Sequence, residues 1–399
     1  MTAPPTLPVH MQRNGFDPVP VLAELRDGKG IERIRTAFGM QAWLVTRFAD
    51  VREVLSDPVR FSNARLQEAG RPPGLPPVTP EERARQLAGN LLAADPPDHT
   101  RLRRMLTPEF TVRRMRRLEP RIREIVHEHL DAMERHGPPA DLLAEFALPV
   151  PSLVICELLG VPYADRAAFQ ERTHRQLDLR VPMEDRLEAG KESRAYMAEL
   201  VARAQAEPGE DMLGMLVREH GHDLTADELA GIASLLLIAG HETTANMLGL
   251  GTLALLRHPA QLAIVRDEPD RVDSAVEELL RWLTIVHTGT AKMATVDTEI
   301  ARQPIAAGDL VMCALPTANR DPELRTDPDR LDVTRGGVGH VAFGHGVHHC
   351  LGAPLARMEM KIGFPALLQR FPGLAEVPGT ATFRSFSIIY GLTSLQVTW

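Results

Sequence analysis

The segment TADELAGIASLLLIAGHETTANMLGLGTLALLRHP, from Thr225 to Pro259, limits the possible folds more than any other part of the chain. It opens with a capping box, Thr225 to Glu228, in which hydroxyl and carboxylate each satisfy a free backbone N–H of the other residue. It stops ahead of Pro259, a residue that cannot continue a helix. The roughly 30 residues between would run about 45 Å at about 1.5 Å per residue, enough to cross the molecule. Residues 229–239 are apolar on nearly every side, so this helix must be wrapped by protein.

In its middle stands Gly-His-Glu-Thr-Thr, residues 240–244. A buried carboxylate costs several kcal/mol unless it is paired or protonated. One reading has Thr243 bonding back to the carbonyl four residues earlier while Glu242 reaches a cation. The other has Glu242 and Thr243 as an acid–alcohol pair that delivers protons into a cavity and locally widens the helix. Ala239 lies one turn before Thr243, and Leu235 and Leu236 would extend the same wall. The residues alone permit both.

Helical periodicity dominates from about Glu119 to Arg257. Strand-like pieces are short: QAWLVTRF near the start, EIARQPIAAGDLVMCAL after Arg281, and SIIYGLTSLQVTW at the end. The expectation is a mainly α chain with a small β portion. Residues 64–84 and 318–340 read as long loops. Three cysteines, odd in number and far apart, argue against a disulfide framework and for a reducing compartment. Cys156 and Cys313 sit in apolar runs and read as core residues. No secretory signal opens the chain, and the longest apolar stretch is too short for a bilayer, so a soluble, cytoplasmic protein is expected.

Net charge is −8, yet Arg101 to Arg123 holds nine arginines against two glutamates, a local +7. A solvated helix face explains that run as well as a binding surface does. Nucleic acid is a poor fit, because no aromatic residues interleave the arginines.

The run FGHGVHHCLGAPLAR, Phe343 to Arg357, gathers one cysteine, three histidines and three glycines. Gly344 and Gly346 allow backbone geometry closed to other residues. Cys350 then opens a helix-prone segment, where free N–H groups stabilise a thiolate. Cys350 with His340, His345, His348 and His349 could supply zinc ligands, but structural zinc sites usually join two separated pairs. Glu278 and Arg281, three apart in EELLRW, can pair on one helical face.

Phe343, Gly344, Gly346, His348, Cys350 and Gly352 in this order resemble the haem-thiolate loop of the cytochromes P450. AGHETT (Ala239 to Thr244) is similar to the oxygen-binding patch of their long central helix. Glu278-Leu-Leu-Arg281 resembles their E-x-x-R motif, DPDRLD their meander, and DPPDHTRLRR (Asp95 to Arg104) the segment entering their helix C. The resemblance covers essentially the whole chain and implies one P450 domain over residues 1–399, with haem between the I and L helices.

By that resemblance Cys350 is the axial thiolate of haem b, and His345 and His349 are structural. Phe343, Gly344, Gly352, Ala239 and Gly240 adjoin the cofactor. His99, Arg103 and His348 serve the propionates, with Lys292 where the family usually has arginine. Arg330 completes a Glu–Arg–Arg set with Glu278 and Arg281; Leu331 stands where phenylalanine is common. Glu242 and Thr243 imply a monooxygenase using O2, with His241 a bystander. Electrons would come from NADPH or NADH through an acidic ferredoxin docked at Arg101–Arg123. Leu91, Leu92, Leu235, Leu236, Ala239, Ile285, Val286, Thr288 and Ile388 would line the pocket. The implied protein is a monomer that binds no nucleic acid or membrane. Its expected substrate is a bulky, apolar macrolide or polyketide, hydroxylated or epoxidised late in antibiotic biosynthesis. Haem-thiolate chemistry without oxygen insertion, and a terpenoid, steroid or xenobiotic substrate, are the alternatives.

Overall fold

The computed structural model describes residues 7–68, 79–288, 290–336, 339–384 and 386–399. Its axis is the helix Ala226–Leu256, 31 residues long, capped as the sequence indicates. Glu228 N–H donates to Thr225 Oγ1 at 3.1 Å, and Thr225 N–H donates to Glu228 Oε2 at 2.9 Å. The helix assignment is continuous through residues 240–244.

The helices packed most extensively on this axis are Pro149–Leu159, Met183–Ala206 and Ala353–Arg370. Leu229, Leu248, Leu250, Leu253 and Leu255 are fully buried there. Each such burial stabilises the fold by about 1.5–3 kcal/mol. Gly240 sits against the helix Pro149–Leu159, where a Cβ on it would lie 2.7 Å from Ile155 Cδ1.

A five-stranded sheet stands beside the helices in the order Ile31–Arg35, Gln41–Val45, Leu310–Cys313, Ala291–Ala294, Phe61–Ser62. Gln41–Val45 and Leu310–Cys313 pair in parallel, and the other neighbours are antiparallel. Alternation along the strands feeds two small cores, one with Val45, Phe61 and Val311, the other with Leu44, Met293 and Met312. Near the C-terminus Thr382–Phe383 and Leu392–Ser394 form a hairpin against the central helix.

The mainly helical architecture and all three strand regions match the sequence reading. The expected loop at 64–84 is partly wrong. Pro80–Leu87 forms a helix, capped by a Thr79–Glu82 box that was legible in TPEE. Residues 69–78 of that loop lie outside the described residues. Cys156 and Cys313 are core residues whose thiols burial pushes up to about 12. Leu331 packs in the main core. Among the described residues no single helix is long and apolar enough to cross a membrane.

Candidate active site

The loop before the helix Ala353–Arg370 is shaped by its glycines. Gly344 and Gly346 have φ of 72° and 71°. A Cβ at Gly346 would meet the Leu55 carbonyl oxygen at 2.4 Å. Cys350 N–H closes the loop by donating to the Phe343 carbonyl at 2.9 Å. Phe343 is half-buried, with the Arg357 guanidinium 4.6 Å above its ring.

Cys350 is accessible to solvent, although its thiol lies deep in the protein. Both hold together only where a residue faces an internal hollow. Burial raises the pKa of this thiol, while the N–H groups of Gly352 and Ala353 and the charges of Arg103 and Arg357 oppose the shift. The histidines of the run disperse. His340 contacts Glu277 at 3.2 Å, His348 stacks on His99, and His349 faces Phe343. No three His, Cys, Asp or Glu side chains gather as a metal-binding group among the described residues. The contiguous zinc cluster that the run permitted is therefore not assembled.

Beside the thiol lies a cationic cradle. His99 is 2% exposed, on the helix Asp98–Leu106, with neither ring nitrogen bonded among the described residues. His348 meets it with ring centroids 4.3 Å apart, and its Nε2 is also unpartnered. Burial lowers both imidazoles, His348 to about 3. Lys292 is 3% exposed, and its Nζ donates to Asn63 Oδ1 at 2.7 Å. Arg103 is half-buried without a carboxylate partner among the described residues. Buried donors with no acceptor, beside cations with no anion, fit the two propionates of a haem whose iron binds Cys350.

The central helix supplies an opposite wall. Ala239 is exposed in mid-helix, and Leu235, Leu236, Ile238, Gly240 and Thr243 are half-buried while the flanking turns are closed. Thr243 Oγ1 donates to the Ala239 carbonyl at 2.7 Å, leaving the hydroxyl oxygen free to accept a hydrogen bond. The missing Cβ of Gly240 faces Ile155, so this residue contributes close helix packing.

Glu242 is 3% exposed and tightly held. Arg384 Nη1 donates to its Oε2 at 2.8 Å and Asn246 Nδ2 at 3.2 Å. Burial alone would raise its pKa, but Arg384 and then His241 outweigh that and keep it low. Both readings of the patch are thus realised in part: threonine bonds back and the acid meets a cation, yet the helix opens a face inside the protein. Arg384 was not foreseen.

Glu278 and Arg281 are each 1% exposed and form a bidentate pair, 2.8 Å at both contacts. Arg330 is not their third member. Its side chain is 65% exposed and pairs loosely with Asp332 at 3.7 Å; only its carbonyl approaches Arg281. Arg335, 13% exposed, lies 4.0 Å from Glu278 and completes the set. The meander holds both arginines, and spacing alone does not say which turns inward.

Of the pocket residues, Leu91 and Ile285 are buried in the main core. Leu92 is exposed, and Val286, Thr288 and Ile388 are half-buried. The basic run is partly neutralised: Arg101, Arg114, Arg121 and Arg123 pair with glutamates, and Arg104, Arg113, Arg116 and Arg117 remain exposed without ion pairs among the described residues.

The family model described as Cytochrome P450 matches residues 194–375. The chain is 51% identical over 394 residues to cytochrome P450 FAS1 of Rhodococcoides fascians, covering 98% of each. Among solved structures, P450 StaH from glycopeptide antibiotic A47934 biosynthesis superposes with a TM-score of 0.87 at 46% identity, covering 99% of this chain and 100% of that one. CYP105P1 in complex with filipin I superposes with a TM-score of 0.90 at 39% identity, covering 99% and 98%.

Proposed function

This chain belongs to the cytochrome P450 family, and from that premise we propose that it inserts one oxygen atom of O2 into a bulky, largely apolar secondary metabolite of macrolide or polyketide type. It is a haem-thiolate monooxygenase, an oxidoreductase whose reducing equivalents come from NADPH or NADH through redox partners. The single observation that carries the substrate reading is the open face of the central helix, Leu235, Leu236 and Ala239, ending at Thr243. Apolar walls accept a large neutral molecule, and one hydroxyl is the polar group they present.

The overall balance is a C–H bond, O2, two electrons and two protons giving C–OH and water. The haem, when bound through Cys350, supplies the iron that takes up dioxygen, with the thiolate favouring O–O cleavage. The chain does the rest. His99, His348, Arg103 and Lys292 hold the propionates, and the aliphatic residues keep bulk water from the pocket. Thr243 Oγ1 accepts a hydrogen bond at the reacting centre, and Glu242 replenishes its protons.

Exposed Arg104, Arg113, Arg116 and Arg117 would steer an acidic ferredoxin, an attraction that weakens with salt. Three free cysteines agree with work in a reducing cytoplasm. Similarity to StaH, from an antibiotic pathway, supports a late tailoring step.

The test is a panel of macrolides, polyketides, peptides, terpenoids and steroids. Substrate-induced Soret shifts select binders, and turnover with NADPH, ferredoxin reductase and ferredoxin follows. A product heavier by one oxygen from a polyketide supports the proposal. Binding and oxidation confined to another class overturn the substrate reading.

A further inference from the structure

We infer that Arg384 is a positioning residue that links proton delivery by Glu242 to occupation of the substrate pocket. The inference rests on the roles proposed above for Glu242 and Thr243.

The buried carboxylate has three charged or titratable neighbours from three elements. Arg384 comes from the C-terminal hairpin, His241 from the central helix with Nε2 4.0 Å away, and His174 from the helix Arg166–Leu177 at longer range. His241 is closed to solvent at 0% side-chain exposure, its Nδ1 bonded to the Leu237 carbonyl and its ring edge-on to Phe169. The Glu242 side chain is 4% exposed and that of Arg384 16%. His174 is open to solvent at 51% side-chain exposure but acts at longer range, so Arg384 is the partly open group in direct contact with the carboxylate. While the 2.8 Å ion pair stands, Glu242 remains an anion with no proton to give.

Arg384 is also tied to the pocket. Its N–H donates to the Gly391 carbonyl at 2.9 Å, across the hairpin, and Gly391 packs directly on Asn246, the other partner of Glu242. The segment 386–390 within that hairpin is stitched to the stretch after the helix Arg166–Leu177 on one side and to residues 285–287 on the other. Leu179 N–H donates to Phe386 O at 3.0 Å and Ile388 N–H to Leu177 O at 3.2 Å. On the other side Tyr390 N–H donates to Ile285 O at 2.8 Å, Ile389 bridges Val286, and His287 Nε2 meets Ser387 O at 2.7 Å. Ile388, on the segment whose base carries Arg384, and Val286, which pairs with that segment through Ile389, are both half-buried.

A substrate seated against Ile388 and Val286 shifts this segment and loosens the pair. Glu242 then takes one proton from the solvent side and passes one toward Thr243, ending as the same carboxylate; no electrons move at this residue. With the pocket empty the acid stays locked, which restrains oxidant consumption without product.

The test compares Arg384→Gln, Arg384→Lys and the double variant Glu242→Gln/Arg384→Gln, each checked first for the ferrous–CO band. Readouts are NADPH and O2 consumption with and without substrate, product per NADPH, and the pH profile of coupling. In Arg384→Gln, substrate-free consumption should approach the substrate-bound rate, lowering their ratio on the order of tenfold. The alkaline limb of coupling, where the carboxyl loses the proton it gives, should move to higher pH, because the lost cation no longer holds the carboxyl down. Arg384→Lys should keep that limb near its parental position, and the double variant should match Glu242→Gln alone. An Arg384→Gln protein with parental substrate dependence and an unmoved limb overturns the inference. If that variant binds no haem, Arg384→Lys decides through substrate-free consumption, which should rise because an ammonium grips a carboxylate less firmly; no rise overturns the link. A parent that oxidises no compound sinks the proposed function instead, a distinct outcome.

Discussion

His99 and His348 meet with ring centroids 4.3 Å apart at a tilt of 56°, and both ring nitrogens of His99 and Nε2 of His348 are buried with no partner among the described residues. One lies on the helix Asp98–Leu106 and the other closes the turn Gly346–His348 before the cysteine. Polar atoms buried this deeply are almost always satisfied. Under the proposed function their acceptors would be haem carboxylates, with Lys292 and Arg103 as neighbouring charges. His99→Phe should fold but release haem faster to apomyoglobin, by roughly tenfold for one lost charge-assisted bond. Lys292→Met should act alike, and Lys292→Arg should retain haem. Unchanged release in both loss variants would remove these residues from the cradle.

The pair of Glu278 and Arg281 is buried, bidentate and backed by Arg335. Glu278→Ala strands a buried guanidinium and should cost about 3–5 kcal/mol, seen as lost haem occupancy or a lower Tm. Arg335→Ala should cost about 1–3 kcal/mol through the guanidinium's lost hydrogen bonds to the Thr326 and Asp327 carbonyls. Arg330→Ala, at a largely exposed side chain, should stay within about 0.5 kcal/mol. Equal losses for the two arginines would contradict the assignment.

Glu277 ties the E-x-x-R helix to the helix after Cys350, through Arg357 at 2.6 Å and His340 at 3.2 Å. Burial pushes its carboxyl up, but the hydrogen bonds from Arg357 and His340 outweigh that and bring it to about 2. A depressed carboxylate stabilises fully above its ordinary value near 4.5 and loses that contribution as pH falls toward 2. The amount is on the order of 3 kcal/mol. Acid unfolding of Glu277→Gln should therefore show a weaker pH dependence between those limits than the parent. Superimposable curves would refute the linkage.

Thr243 is half-buried on the open face of the central helix, its hydroxyl donating to Ala239. Thr243→Ala should keep the fold and haem spectrum while diverting electrons to hydrogen peroxide. Product per NADPH should fall on the order of tenfold or more. An unchanged ratio would leave the hydroxyl a purely helical feature.

Local signals were legible in the sequence, and contacts between distant segments were not. The central helix announced itself by its capping box and its unbroken apolar stretch. The cysteine loop did so by two glycines, both at positive φ in the structure. Arg384 reaches Glu242 across 142 residues from a turn-rich segment with no pattern of its own. Arg335 and Arg330 share one meander, and only the path of the chain turns the former toward Glu278. The packing of Gly240 on Ile155 joins two segments 85 residues apart and likewise left no mark in the sequence.

The ligand of the iron bears most directly on the whole. Purified protein supplied with haem should be reduced, exposed to carbon monoxide and scanned beside Cys350→Ser. The expected result is a red-shifted ferrous–CO Soret band in the parent, as a thiolate ligand gives, and its absence in the variant. A parental band at the position of an imidazole-ligated globin, or a thiolate-type band surviving in Cys350→Ser, would contradict the assignment of Cys350.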